Sequence, residues 1–246
     1  MSYLKFVVLT SSRTGSTWLI DLLNSQEGVE AHGELFLHHP RSSPAIAGRA
    51  DFRRFVEIHG ASRLARVPRV LSYLNELYRT PRTTGFKLMY SQLREYPEIL
   101  PYLVLRRVKI IHLMRRNHID VIVSEELARR TGESHAIVGT DADIPMVHLD
   151  PTTLIERINQ LREKSEHVRL LLRLLCCQDL EVSYESLLDG HHELIRILSF
   201  LDVSRPATDA QSSLAKRGGR NHRKAIVNYE EIKQLLSSTR FAGLLQ

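Results

Sequence analysis

The sequence predicts an α/β protein whose strands are buried on both faces, and three observations carry that prediction. Lys5-Phe6-Val7-Val8-Leu9-Thr10 holds four consecutive apolar residues, which suits a strand of a parallel sheet. A second, mostly apolar stretch, Val108 to Met114, also reads as a buried strand, though Lys109 and His112 interrupt it. Each is followed by a short polar turn and then by apolar residues at helical spacing: Trp18, Leu19, Leu22 and Leu23 after the first, Ile119, Val123 and Leu127 after the second. The third observation is length. A chain of 246 residues can bury a substantial core, and a single α/β domain of that size is common.

The first turn is the most informative stretch. Between strand and helix stand Ser11, Ser12, Arg13, Thr14, Gly15, Ser16 and Thr17. A helix start offers backbone N–H groups without intrahelical partners and the positive end of the macrodipole, so it suits an anion. Gly15 lets the backbone approach closely, Ser16 and Thr17 add hydroxyl donors, and Arg13 supplies a permanent charge. The plain alternative is an ordinary capped turn. The convergence of arginine, glycine and hydroxyls favours a phosphate-type site. It is not the usual nucleotide-triphosphatase loop, G-x-x-x-x-G-K-[ST], because Ser16 follows Gly15 and the basic residue precedes the glycine by two.

Composition narrows the partner. A net charge of +6 and a pI of about 9.5 favour an anionic ligand. The same balance would suit nucleic acid, but no basic run is interleaved with aromatics and no zinc-finger spacing occurs, so no nucleic-acid partner is expected. Cys176 and Cys177 are adjacent in an apolar helical stretch. They fit a disulfide framework or a metal site poorly and read as core residues of a protein in a reducing compartment. No cluster of His, Cys and Asp has ligand spacing, so no metal is expected. The N-terminus passes straight into a strand and no run of about 18 apolar residues follows. The expectation is a cytoplasmic protein without a membrane span.

Along the chain, helical spacing extends from Thr14 to about Gln26, and an extended piece ends in Ala31-His32-Gly33-Glu34-Leu35-Phe36. Residues 40–48 are rich in Pro, Ser, Ala and Gly and read as a loop. Helices are expected over residues 51–66 and 68–79, the second with a stripe of Val70, Leu71, Leu74, Leu77 and Tyr78. Thr84 to Tyr90 reads as a strand interrupted by Lys87. A buried ammonium is costly without a partner, and solvent at a strand end is the simplest reason for it. Residues 131–148 form a polar connection. Asp150-Pro151 starts a helix, and Leu154, Ile158, Leu161, Val168, Leu171 and Leu175 make it a long core-packing one. Leu180 to Leu188 reads as a late strand entering a turn, and Leu194 to Leu201 as a short amphipathic helix. Lys216 to Lys224 carries five basic residues and two glycines ahead of a final helical pattern. In isolation such a run is most often solvated surface. No internal repeat or linker divides the chain.

Ser12 to Leu19 resembles the 5′-phosphosulfate loop of the sulfotransferases that use 3′-phosphoadenosine 5′-phosphosulfate (PAPS). The resemblance implies that Arg13, Thr14, Gly15, Ser16 and Thr17, with Trp18 beside them, surround the 5′-phosphosulfate. A second element is similar to the family's 3′-phosphate site, an arginine closing a strand and a serine eight residues later on the next helix. Arg116 and Ser124 fit that spacing, with Asp120-Val121 between them. Singly, such a serine is usually a solvent-facing or back-bonded hydroxyl and such an arginine a surface charge. Together, after the first loop, they carry weight.

In bacterial members of the family a similar Gly-Glu-x-Phe segment supplies a glutamate proposed as general base, which here is Glu34. Composition alone would make it a surface or capping carboxylate. His32, His38 and His39 are alternatives, since imidazole titrates near neutrality. Gly85-Phe86-Lys87-Leu88-Met89 is similar to a strand that brings its lysine to the active site, so Lys87 is expected to steady the transferring group, with Ser91 and Gln92 toward the acceptor. Tyr184-Glu185-Ser186-Leu187 is similar to a Tyr-Glu-x-Leu segment whose tyrosine often lies near adenine. The tail resembles a basic loop that covers the nucleotide, which makes Lys216, Arg217 and Arg220 candidates for the 3′-phosphate. The Gly-x-x-Gly-x-x-Lys pattern of cytosolic animal enzymes is not reproduced.

The resemblance covers residues 5 to about 235. It implies one sulfotransferase domain over residues 1–246, with a P-loop-like central parallel sheet, helices on both faces and the active site at the carboxyl ends of the strands. Residues of about 35–80 would be acceptor-side elaboration, and about 214–228 the nucleotide-covering loop. The implied activity is transfer of the sulfuryl group from PAPS to a hydroxyl or amine of a small-molecule or glycan acceptor, releasing adenosine 3′,5′-bisphosphate. Arg13, Glu34 and Lys87 take the catalytic roles. Two other readings stand beside it. A kinase-like P-loop enzyme would need magnesium and a carboxylate to hold it. An inactive polyanion-binding protein on the same fold would bind with strong salt dependence. The acceptor's identity and self-association stay open.

Overall fold

The computed structural model describes residues 3–37, 52–60, 64–131, 146–189, 191–203 and 221–245. Strand β1 (Lys5–Thr10) leads through a turn to α1 (Ser16–Asn24) and β2 (Val29–Glu34). Two helices, α2 (Phe55–His59) and α3 (Arg66–Leu77), precede β3 (Thr83–Met89). Then come α4 (Tyr90–Glu95), α5 (Ile99–Leu105), β4 (Lys109–Met114), α6 (His118–Thr131) and α7 (Pro151–Leu174). β5 (Asp179–Ser183) runs into α8 (Tyr184–Leu188), followed by α9 (His191–Phe200), α10 (His222–Ala225) and α11 (Tyr229–Ser237). The five strands are all parallel, in the order β2-β3-β1-β4-β5. The protein is a single α/β domain on a central parallel sheet flanked by helices.

Central β1 explains its own composition: with a strand on each edge and helices on each face, Phe6 to Leu9 are wholly buried. Alternation then sorts the layers. Val7, Leu9, Phe86, Leu88 and Ile110 join Phe55, Tyr73, Leu74, Ile99 and Leu103 of α2, α3 and α5 on one face. Phe6, Val8, Ile111, Leu113 and Val182 join Leu19, Leu23, Leu187 and Ile197 of α1, α8 and α9 on the other. Each such buried side chain contributes about 1.5–3 kcal/mol. A third cluster unites α6, α7, α10 and α11 through Ile119, Ile158, Ala225 and Ile232. Gly85 stands opposite Phe6 in the β1–β3 register, and a Cβ there would lie 2.4 Å from the Phe6 ring. Only glycine lets that ring lie over β3.

Several expectations shift. Pro68 does not open a helix: α3 begins at Arg66, and Pro68 sits in its first turn, where a missing N–H costs nothing. Within residues 51–66 the helix is short, Phe55–His59. Both helices are core elements, with Phe55, Val70, Tyr73, Leu74 and Leu77 buried. The α7 stripe holds at Leu154 and Ile158, but Leu172 is buried in place of Leu171, and Leu171 and Leu175 are 36% and 37% exposed. A strict helical count drifts around the axis over such a length. Cys176 is likewise no core residue. It follows the end of α7 in a left-handed turn and is exposed, with Cys177 half-buried, and both are free thiols. Among the described residues no helix is long and apolar enough to cross a membrane.

The connections that follow the neighbouring strands β1 and β3 leave toward opposite faces. α1, after β1, packs on one layer, and α5, between β3 and β4, packs on the other. Beyond the carboxyl ends of β1, β3 and β4 this leaves the crevice where α/β sheets place their ligands.

Candidate active site

The β1–α1 turn is bent by two left-handed residues, Arg13 (φ 62) and Gly15 (φ 80). Glycine tolerates that conformation and arginine pays for it, by about 1–2 kcal/mol. Gly15 has a second reason. A Cβ on it would lie 2.3 Å from Cδ2 of Tyr184, so the tyrosine ring seats directly on the glycine. Arg13's carbonyl accepts a hydrogen bond from Nη1 of Arg115 at 3.3 Å, which braces the strained residue.

Below the turn, Thr10 donates to the Leu113 carbonyl at 2.9 Å, and the Thr14 hydroxyl donates to the Ser11 carbonyl at 3.1 Å beside Thr10 Oγ1. Thr14's hydroxyl is thus spent holding the loop from within. The first turn of α1 carries no acidic residue and its N-cap no side-chain bond. Among the described residues the hydroxyls of Ser16 and Thr17 have no hydrogen-bond partner. Helix start and hydroxyls together form an uncapped donor set suited to an anion. Trp18 is buried, edge-on to Tyr184 with ring centroids 6.2 Å apart.

The β4–α6 turn comes beside this loop. Arg13 Nε donates to Ser124 Oγ at 2.8 Å, joining two sequence motifs that are 111 residues apart. Ser124 is a buried residue of α6. Arg116, exposed, has its backbone N–H held by both carboxylate oxygens of Glu185, at 3.0 and 3.1 Å, and the next N–H, of Asn117, bonds Oε1 at 3.0 Å. Among the described residues the Arg116 guanidinium has no hydrogen bond or ion pair.

Its neighbour Arg115 points inward instead, pairing with Asp120 Oδ2 at 2.7 Å and lying 4.7 Å from the Tyr184 ring centroid. Asp120 Oδ1 meets His222 Nε2 at 2.9 Å, both residues buried. Burial pushes the Asp120 carboxyl up, but the His222 hydrogen bond and the Arg115 charge outweigh it, so the net shift is downward.

A second cluster forms at the ends of β2 and β3. Glu34 Oε1 pairs with Lys87 Nζ at 2.9 Å, and Oε2 accepts from Gln92 Nε2 at 3.1 Å. Gln92 is fixed in turn, its Oε1 accepting the Met89 N–H at 3.0 Å. The cause is a bulge. β2 pairs His32 with Phe86 and then Glu34 with Lys87, so Gly33 is the extra residue. Regular alternation would put His32 and Glu34 on one face; the bulge turns Glu34 to the α1 side, where Lys87 lies. The pair uses one lone-pair site on each carboxylate oxygen and leaves others for a substrate proton. His32 stays on the other face, buried, accepting the Phe52 N–H at Nδ1 (3.3 Å) with Nε2 3.6 Å from Glu30.

No family model and no curated protein matches this chain. Among solved structures it is similar to mouse sulfotransferase SULT7A1 complexed with PAP, at 12% identity over 98% of this chain and 86% of that one, with a TM-score of 0.46. That likeness is too weak to bear on function.

Of the residues predicted from sequence, Arg13, Gly15, Ser16, Thr17, Ser124 and Arg116 gather around the β1 and β4 turns, with Trp18 and Tyr184 packed against them. Glu34 and Lys87 meet at the neighbouring strand ends. Ser91 is exposed. His38, His39, Lys216, Arg217 and Arg220 lie outside the described residues. Sequence reasoning missed Arg115, Asp120, His222 and Glu185 as struts. Each was visible as a polar residue beside a motif, but nothing in the order of residues distinguishes a buried carboxylate from a solvated one.

Proposed function

We propose that the protein is a PAPS-dependent sulfotransferase acting on a hydroxyl, or an amine, of a small-molecule or glycan acceptor. The observation that carries the reading is the 2.8 Å bond between Arg13 and Ser124. It sets the turn suited to a 5′-phosphosulfate against the Arg116–Ser124 element suited to a 3′-phosphate, on one crevice. Sulfuryl transfer, like phosphoryl transfer, asks the protein for alignment and for stabilisation of charge on the leaving phosphate.

Arg13, the first-turn N–H groups of α1 and the hydroxyls of Ser16 and Thr17 supply that stabilisation. Glu34 takes the proton of the acceptor as its oxygen or nitrogen forms the bond to sulfur and the bond from sulfur to the 5′-phosphate oxygen breaks. In this reading Lys87, paired with Glu34, steadies the transferring group. Residues of about 35–80 serve the acceptor side, and Lys216, Arg217 and Arg220 of the tail serve the 3′-phosphate. The protein works in the cytoplasm.

Calorimetry tests the reading without an acceptor. Adenosine 3′,5′-bisphosphate is expected to bind at least ~10-fold more tightly than adenosine 5′-phosphate, because the extra phosphate gains charged hydrogen bonds. Equal affinities would end the proposal.

A further inference from the structure

Tyr184 and Glu185 are consecutive, at the point where β5 turns into α8, and they grip the two anion-binding turns separately. The Tyr184 ring seats on Gly15 of the β1–α1 turn and under the Arg115 guanidinium. One residue on, the Glu185 carboxylate takes the backbone N–H groups of Arg116 and Asn117. Those amides lie just ahead of α6, on the turn that leads into it from β4, so the carboxylate holds that turn from outside. A ligand phosphate arriving here finds the amides occupied and meets the Arg116 side chain.

We propose that Glu185 is the positioning residue for nucleotide selectivity: it fixes the Arg116 backbone so that the guanidinium, together with Ser124, reads the 3′-phosphate. This rests on the sulfotransferase reading above. The division of labour is sharp. Tyr184 acts on the loop that both nucleotides need, whereas Glu185 acts only on the element that distinguishes them. Its Oε1 accepts from both amides, so a side-chain amide oxygen at the same reach can replace it, but a carboxylate one methylene shorter cannot span both.

The experiment is calorimetry of adenosine 3′,5′-bisphosphate and adenosine 5′-phosphate with the native chain and with Glu185→Ala, Glu185→Asp and Glu185→Gln. Glu185→Ala and Glu185→Asp are expected to lose ~10-fold or more in affinity for the bisphosphate while 5′-phosphate affinity stays within ~2-fold; Glu185→Gln keeps most of the preference. An unchanged preference in Glu185→Asp overturns the proposal and leaves the sulfotransferase reading standing. So does an equal loss for both nucleotides, which would make Glu185 a general brace. If Glu185→Ala does not fold, the Gln and Asp variants decide the matter, and equal preference in those two refutes the positioning role. A native chain without preference refutes the reading itself, and the positioning role with it.

Discussion

Lys87 in β3 and His112 in β4 both interrupt apolar strands near the centre of the sheet, and both are buried. Lys87 faces the α1 layer, next to Val8, and its ammonium finds the Glu34 carboxylate at the edge of the crevice. His112 faces the other layer, next to Leu9, and is sealed: Nε2 meets the Tyr90 hydroxyl at 2.6 Å, and Nδ1 has no hydrogen-bond partner. A buried charge is kept where a partner and a task repay its desolvation. The imidazole avoids that cost by staying neutral, its pKa pushed down to about 4 chiefly by burial, with Arg169 adding to the shift and Glu181 opposing it. The same kind of sequence signal thus marks a paired charge at the strand ends in one case and a closed core in the other. What separates them is the face of the sheet.

The sharpest way to break that contrast is Glu34→Gln. The substitution keeps size and most hydrogen bonding but removes the proton acceptor. Turnover with a hydroxyl acceptor is expected to fall by ~10²–10⁴-fold, the range for losing general-base assistance. Affinity for adenosine 3′,5′-bisphosphate should hardly change, since the carboxylate lies on the β2–β3 side. Near-normal turnover would remove Glu34 from the chemistry. Lost nucleotide binding would make the Glu34–Lys87 pair a structural one, no different in kind from His112 and Tyr90.

Gly15→Ala comes next. It combines a left-handed φ with a methyl group driven into the Tyr184 ring, at an expected cost of about 2–4 kcal/mol in denaturant unfolding. In a Tyr184→Ala background, compared with that variant alone, Gly15→Ala should lose the steric part and cost only about 1–2 kcal/mol for the backbone. If the cost is no smaller in that background, the seat of the ring on Gly15 is not what requires glycine.

Arg116→Ala asks whether the α1 face is the nucleotide face. A loss of about 2–3 kcal/mol in bisphosphate affinity, with adenosine 5′-phosphate nearly unaffected, is the expected result for removing a charged hydrogen bond. An equal loss for both ligands would place Arg116 on the 5′-phosphate instead.

The fold was largely legible because β1 is so apolar that burial on both faces was the only economical reading, and the ends of β1, β3 and β4 were found within a residue or so. The candidate site was legible where a motif is local, as in Arg13 to Thr17. It was illegible where contacts span the chain. Asp120 joins Arg115, five residues back, to His222, 102 residues on, and no periodicity announces such a triad. The Gly33 bulge was hidden for another reason. The residues around it read equally well as regular strand, and only the pairing with β3 shows that one residue is extra. Helical stripes failed at the end of α7, where Leu172 faces the core in place of the predicted Leu171, and Leu175 is also exposed.

His112 gives the smallest and cleanest test of the closed face. Its folded pKa is about 4 against an ordinary 6.5, so between those values the unfolded chain binds more protons than the folded one. Stability therefore rises with pH through this window and is lost as pH falls from 6.5 toward 4. At pH 4.5 the loss from this one group is expected to be about 1–3 kcal/mol. Carboxylates and other histidines titrate nearby, so the native chain alone would not isolate the effect. The comparison needed is Tyr90→Phe/His112→Phe, which removes the titrating ring and also the phenol that would otherwise be left without its partner. Chemical unfolding of both proteins at pH 7 and pH 4.5 should show the native chain losing more stability than the variant, by that amount. Parallel losses would mean that the imidazole accepts its proton inside the fold. Water or a rearranged Glu181 would then reach it, and the closed face would be as open to protons as the edge where Lys87 meets Glu34.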